Sequence, residues 1–132
     1  MNRRAAALLS VLLAACTGAP GDDTAGAPSL TLLSPADGDV VCGDPLHVVT
    51  AVENFRLTND TVEDPPPDLG HLHVYLNGQE VAQSDVETID VSGVADGEWQ
   101  LSLDISHADH SALDPYVGVF IYITVDHTLC PE

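Results

Sequence analysis

Gly70-His71-Leu72-His73-Val74-Tyr75-Leu76-Asn77-Gly78 is the stretch from which the rest of the chain can be read. Leu72, Val74 and Leu76 alternate with His71, His73 and Tyr75, and on an extended strand the two sets point to opposite faces. Asn77-Gly78 is the dipeptide that best tolerates the positive φ angles of a type I′ turn, so the strand is expected to enter a hairpin. One face then belongs to a core. The other carries two imidazoles at i and i+2, roughly 6–7 Å apart along the strand.

The same alternation recurs on both sides of this stretch. After the turn, Glu80 to Gln83 is the expected hairpin partner, and Val86 to Val91 a further short strand. From Glu98 to Ile105, Trp99, Leu101, Leu103 and Ile105 face inward while Gln100, Ser102 and Asp104 face outward. The last strand runs from Val117 to Val125 with Phe120 and Tyr122 on its other face, where they could form an exposed apolar patch. Upstream lie Leu30-Leu33, Val40-Cys42 and Leu46-Val52, the last continuing through Asn54-Leu57 past a bulge. Thr58 to Leu69 is an acidic loop in which Pro65, Pro66 and Pro67 bar a central strand. Ser106 to Tyr116 reads as a second loop. No segment of the mature chain has useful helical periodicity. About seven short strands separated by turn signals predict an all-β, single antiparallel β-sandwich, immunoglobulin-like or fibronectin type III-like.

Charge narrows the partners. The 132 residues hold Lys+Arg 3 against Asp+Glu 21, and Arg56 is the one basic residue after Arg3 and Arg4. Such a surface repels phosphate backbones and anionic lipid headgroups, so nucleic acid is excluded and membrane contact requires an anchor. Cations, cationic surfaces and neutral molecules remain.

The N-terminus supplies that anchor. Arg3-Arg4 precedes an apolar run through Leu13 that is too short to span a bilayer and has the shape of a secretory signal. Leu13-Ala14-Ala15-Cys16 resembles the bacterial lipobox. The resemblance implies cleavage before Cys16, diacylation of its thiol and acylation of the new amino terminus, which together give stable anchoring. Thr17 rather than Asp after the cysteine implies sorting to the outer membrane in double-membrane bacteria. The expected organisation is a signal peptide over 1–15, a lipidated cysteine and flexible tether over 16–29, and a sandwich over 30–132. A tether of about a dozen residues reaches roughly 20 Å.

With Cys16 taken by lipid, Cys42 and Cys130 remain in an oxidising compartment. Each follows a strand, one early and one late, and a Cys42–Cys130 disulfide is expected. By chain entropy it is worth roughly 4–5 kcal/mol.

Four segments also resemble a family of secreted bacterial immunoglobulin-like domains. They are Asn54-Phe55-Arg56-Leu57, Gly70 to Gly78, Asp96-Gly97 to Ile105, and Asp109-His110-Ser111-Ala112-Leu113. The resemblance supports the fold and implies that His71, His73 and His110 belong together. It supplies no activity.

Two chemical readings of the histidines stand side by side. In one, His71 and His73 are a polar face, hydrogen-bonded to Asp109 or to the acidic loop. In the other they reach one ion. A third ligand from the loop after the Trp99 strand, His110 or His107, completes a copper- or zinc-type site, and Asp109 orients a ligand imidazole from behind. His47 and His127 are isolated and expected at the surface. Copper-zinc superoxide dismutases also carry His-x-His on a sandwich strand, but their ligand-rich loop with its bridging histidine has no counterpart here. No nucleophile motif, phosphate-cradling glycine loop or acid–base pair is visible. Asp37-Gly38-Asp39 lacks the remaining oxygens of a calcium loop. The expectation is a lipid-anchored, non-catalytic binding domain of the cell envelope, holding copper or zinc, or else a structural or interaction module docking an envelope protein.

Overall fold

The structure is a computed structural model and describes residues 26–131. The expected signal peptide, Cys16 and most of the tether fall outside them. The described chain forms β1 (Ser29–Ser34), β2 (Val40–Val41), β3 (Leu46–Glu53), β4 (Arg56–Leu57), β5 (Leu69–Leu76), β6 (Gln79–Ser84), β7 (Thr88–Val91), β8 (Gly97–His107) and β9 (Ala112–Val125), followed by a 3₁₀ turn at His127–Leu129. No helix among the described residues is long and apolar enough to cross a membrane.

Two sheets face each other. One is β1-β3-β7, and the other is β2-β9-β8-β5-β4 with β6 also on β5. The second sheet contributes Leu72, Val74, Leu76, Leu101, Leu103, Ile105, Ile123 and Val125 to the core, and the first contributes Leu46, Val48, Ile89 and Val91. These are the inward positions of the alternating strands, so period-2 patterning placed them correctly. At the hairpin, Asn77 and Gly78 have φ of 52° and 84°, as a type I′ turn demands. Cys42 and Cys130 are bonded, with Cα atoms 4.7 Å apart.

Three local expectations are corrected. Nine strands form rather than about seven. Asn54 to Leu57 does not extend β3 past a bulge. The chain turns at Asn54 (φ 60°) and crosses to the other sheet, where β4 pairs in parallel with β5. The Ser106–Tyr116 loop shrinks to a turn, because β8 runs to His107 and β9 begins at Ala112 across a bulge at Ile105/Ser106. Backbone bonds His107 N–H to Ser111 O and His110 N–H to His107 O close that turn. Pro115 interrupts the apolar alternation there, but it sits in β9 within the bulge, between the paired residues Ala112 and Val117.

Candidate functional site

β5 lies between β8 and β6, and its outward face is not open to solvent. His71 is fully buried and His73 is 6% exposed. The cover is the acidic loop. Thr58 N–H donates to Gly70 O, Val62 N–H to Ala108 O, and Ala108 N–H to Leu69 O, which lays the 58–68 segment beside β5 and the β8–β9 turn. Gly70 lets β5 lie close to β8 and to Phe55, since a Cβ there would overlap the Ser106 carbonyl and the Phe55 ring.

Three imidazoles meet under this cover. Ring centres of His71 and His73 are 5.8 Å apart, those of His71 and His110 4.6 Å, and those of His73 and His110 6.1 Å. Three rings ligating one zinc or copper ion through nitrogen would each centre about 3 Å from it, and hence about 5 Å from one another. His71 and His73 come from strand alternation. His110 comes from the β8–β9 turn, where its φ of 72° is left-handed, a conformation costly for a residue with a Cβ. His110 is exposed and closes the cluster on its solvent side.

The hydrogen bonds divide each buried ring into two ends. His71 Nδ1 lies 2.7 Å from Thr58 O, a pure acceptor, so it carries the proton. His73 Nδ1 lies 3.3 Å from Asp104 Oδ1 and 3.2 Å from the Tyr75 hydroxyl. In the neutral rings, with both Nδ1 atoms carrying the proton, each Nε2 presents a lone pair. Both Nε2 atoms are buried and have no hydrogen-bond partner. An orphaned buried acceptor costs about 1–3 kcal/mol. His110 Nε2 touches only the Thr61 hydroxyl, at 3.3 Å.

Asp104 is the residue behind His73. Its side chain is 14% exposed; Oδ2 accepts from Tyr116 at 2.9 Å, and Oδ1 lies 3.5 Å from the Tyr75 hydroxyl. The Asp104 carboxylate raises the pKa of His73 above the usual imidazole range, against the opposing pull of burial, with Glu80 adding to the rise. Burial first, and then Asp104 and Glu80, push the Tyr75 phenol up to about 12.

Asp109 does not take the place expected for it. Its carboxylate accepts from Ser111 N–H and Oγ, which lowers its pKa and fixes the turn instead. His107 lines a separate hollow with Pro67, Leu113, Pro115 and Val117. Sequence reasoning also missed Asp104, which registers opposite His73 across β5 and β8. Its outward position was legible, but its partner strand was not.

His47 and His127 lie at the surface, paired with Asp90 and Asp96. Three ligand atoms within 4.8 Å of one another occur, among the described residues, at Asp96, Asp126 and His127. The ligand atoms of the histidine trio are not drawn in so tightly, and holding an ion asks the rings to close on one another. Both Asp96 oxygens are already engaged by His127, and Asp126 Oδ1 accepts from Thr128 N–H and Oγ1.

No protein-family model and no curated protein sequence matches the chain. Solved structures do resemble it in fold. Fibronectin(III)-like modules of Clostridium thermocellum CbhA superpose with a TM-score of 0.50 at 11% identity, over 74% of this chain and 95% of that one. The PKD domain (329–428) of human KIAA0319 gives a TM-score of 0.42 at 12% identity, over 85% and 92%. The first likeness fits the two-sheet sandwich. At such identity it speaks for architecture alone.

Proposed function

We propose that this chain is a lipid-anchored, extracytoplasmic, non-catalytic immunoglobulin-like domain that holds a divalent transition ion, copper or zinc, through His71, His73 and His110. One observation carries the metal: two buried imidazoles, each fixed through Nδ1, keep unpartnered Nε2 atoms beside a third ring. A polar face without a ligand predicts the opposite, because buried polar atoms are nearly always satisfied. The donor set fits copper or zinc, since neutral imidazole suits these ions and poorly suits calcium or magnesium. The Asp104–His73 contact is the carboxylate–histidine pairing that orients ligands from behind. Acidic residues of the covering loop, Asp60, Glu63 and Asp64, favour cation approach.

The test is metal content. The full chain is loaded separately with Cu²⁺ and Zn²⁺, desalted and assayed beside a His71→Ala/His73→Ala variant. The expected result is about one retained ion per chain in the parent and none in the variant. No retained ion in the parent overturns the metal site and leaves a structural or interaction module. The anchor is tested independently: fatty-acid labelling of the chain should disappear in Cys16→Ser.

A further inference from the structure

The outward face of the larger sheet has a second half, which the acidic loop does not cover. Along β9, Tyr116, Phe120 and Tyr122 share the face that carries Asp104 and Ser102 on β8, because Asp104 registers with Gly118 and Ser102 with Phe120. The three aromatic residues are 64%, 59% and 58% exposed. They are not loose. The Tyr116 ring lies over Gly118, where any Cβ would strike it, and its hydroxyl donates to Asp104. Phe120 and Tyr122 stand edge to face with ring centres 6.0 Å apart. Tyr122 is held from the backbone side as well, its N–H donating to Asp37 Oδ1 at 2.8 Å. From Tyr116 to Tyr122 the row spans about 20 Å. The one strand beside β9 on its outer edge is β2, paired at Thr124 and Val125.

Carboxylates stand at both ends of this row. Asp104 lies at the Tyr116 end. At the Tyr122 end are Asp37 and Glu98, the latter lining a hollow with Gly38, Tyr122 and Thr124. Among the described residues no lysine or arginine offsets them: Arg56 sits on β4, at the opposite edge of the sheet, and is paired with Asp68. Aromatic faces attract cations through their quadrupole, and carboxylates beside them add a direct ion-pair partner. The whole chain, at a formal charge of −18, steers the same class of ligand.

We propose that the Tyr116-Phe120-Tyr122 row is a docking surface for an extended, arginine- or lysine-bearing segment of a partner protein. Basic side chains lie across the rings, and their charged heads reach the exposed carboxylates of Asp37 and Glu98. The surface uses none of the histidines and meets their site only through Asp104, which holds Tyr116 as well as His73.

The probe is a short synthetic peptide alternating arginine and serine, with a citrulline counterpart of equal shape and no charge. Binding to the full chain is measured at 0.15 M salt, where the Debye length is about 8 Å and diffuse attraction is damped. The arginine peptide should bind saturably and the citrulline peptide far more weakly. Phe120→Ser/Tyr122→Ser should weaken the arginine peptide by roughly five- to twentyfold at a temperature where the variant is still folded, its melt falling only by the lost ring pair and strand propensity. Equal binding by that variant would mean that net charge alone attracts the peptide, and would overturn the surface. So would equal binding of the citrulline peptide, absence of saturable binding, or displacement of the peptide by a neutral hexose oligosaccharide, which would reassign the rings to sugar stacking.

Discussion

Two kinds of histidine coexist in this molecule. His47 and His127 are exposed, and each has a carboxylate against its Nδ1. His71 and His73 are buried and each has an Nε2 with no partner. Water would satisfy the first pair cheaply, yet they have carboxylates. The second pair is shut away from solvent, and one end of each ring meets no polar group of the chain. Stability alone would favour the reverse, because an unmade hydrogen bond is costly only where solvent is excluded. Buried orphan nitrogens therefore point to a ligand, whereas exposed imidazole–carboxylate pairs are ordinary surface chemistry.

The comparison breaks first on metal-dependent stability. Excess Zn²⁺ or Cu²⁺ at about 100 times its dissociation constant adds about 2.7 kcal/mol, roughly 10–20 °C in the melt of a domain this size at about 4–8 °C per kcal/mol. His71→Ala/His73→Ala should abolish that shift, and His47→Ala/His127→Ala should leave it intact. A shift that follows the exposed pair would move the site to the Asp96, Asp126 and His127 cluster.

Next in size is Asp104→Asn. Removing the carboxylate behind a ligating histidine typically weakens metal binding about 10- to 100-fold, measurable by competition with a chromophoric chelator. An unchanged affinity would reduce Asp104 to a tether for Tyr116.

His110→Gly separates ligation from folding. Glycine adopts the left-handed φ at this turn freely, so the metal-free melt should hold steady or rise slightly. Metal affinity should nonetheless fall, by less than in the double alanine variant. An unaltered affinity would remove His110 from the site.

The smallest effect is in pH, and its sign is diagnostic. Asp104 raises the folded-state pKa of His73 above 6.5. Without metal, the protonated His73–Asp104 pair contributes stability that is fully present below pH 6.5 and lost as pH rises through the raised pKa. With metal, protons compete for the same ring, so the ion is released as pH falls through that window. Melts with and without metal should therefore slope in opposite directions between about pH 6 and 8. Parallel slopes would dissociate His73 from the ion.

Much of the fold was legible in the chain. Period-2 alternation in Leu72-Val74-Leu76 and in Trp99 to Ile105 sorted core from surface, and Asn77-Gly78 marked the hairpin. The Asn54 crossing was not legible, since a positive φ at asparagine looks the same whether the next residues rejoin their own sheet or the other one. Nor was the shortness of the β8–β9 turn, because Pro115 and the polar residues before it carry ordinary loop signals. The site was half legible. His71-x-His73 declared two imidazoles on one face, and Asp109-His110-Ser111 offered the third. Asp109 was misassigned because an Asp beside a Ser two residues on caps its own turn in preference to a distant ring.

What this sequence determined by itself is local: which residues alternate, where the hairpin turns, and which cysteines remain to pair. The facing sheets, the register that sets Asp104 behind His73, and the loop that buries an outward-facing pair of imidazoles were decided by tertiary structure. Those outcomes depend on contacts between segments far apart in the chain. Alternation says which face a side chain takes, but only packing says what covers that face.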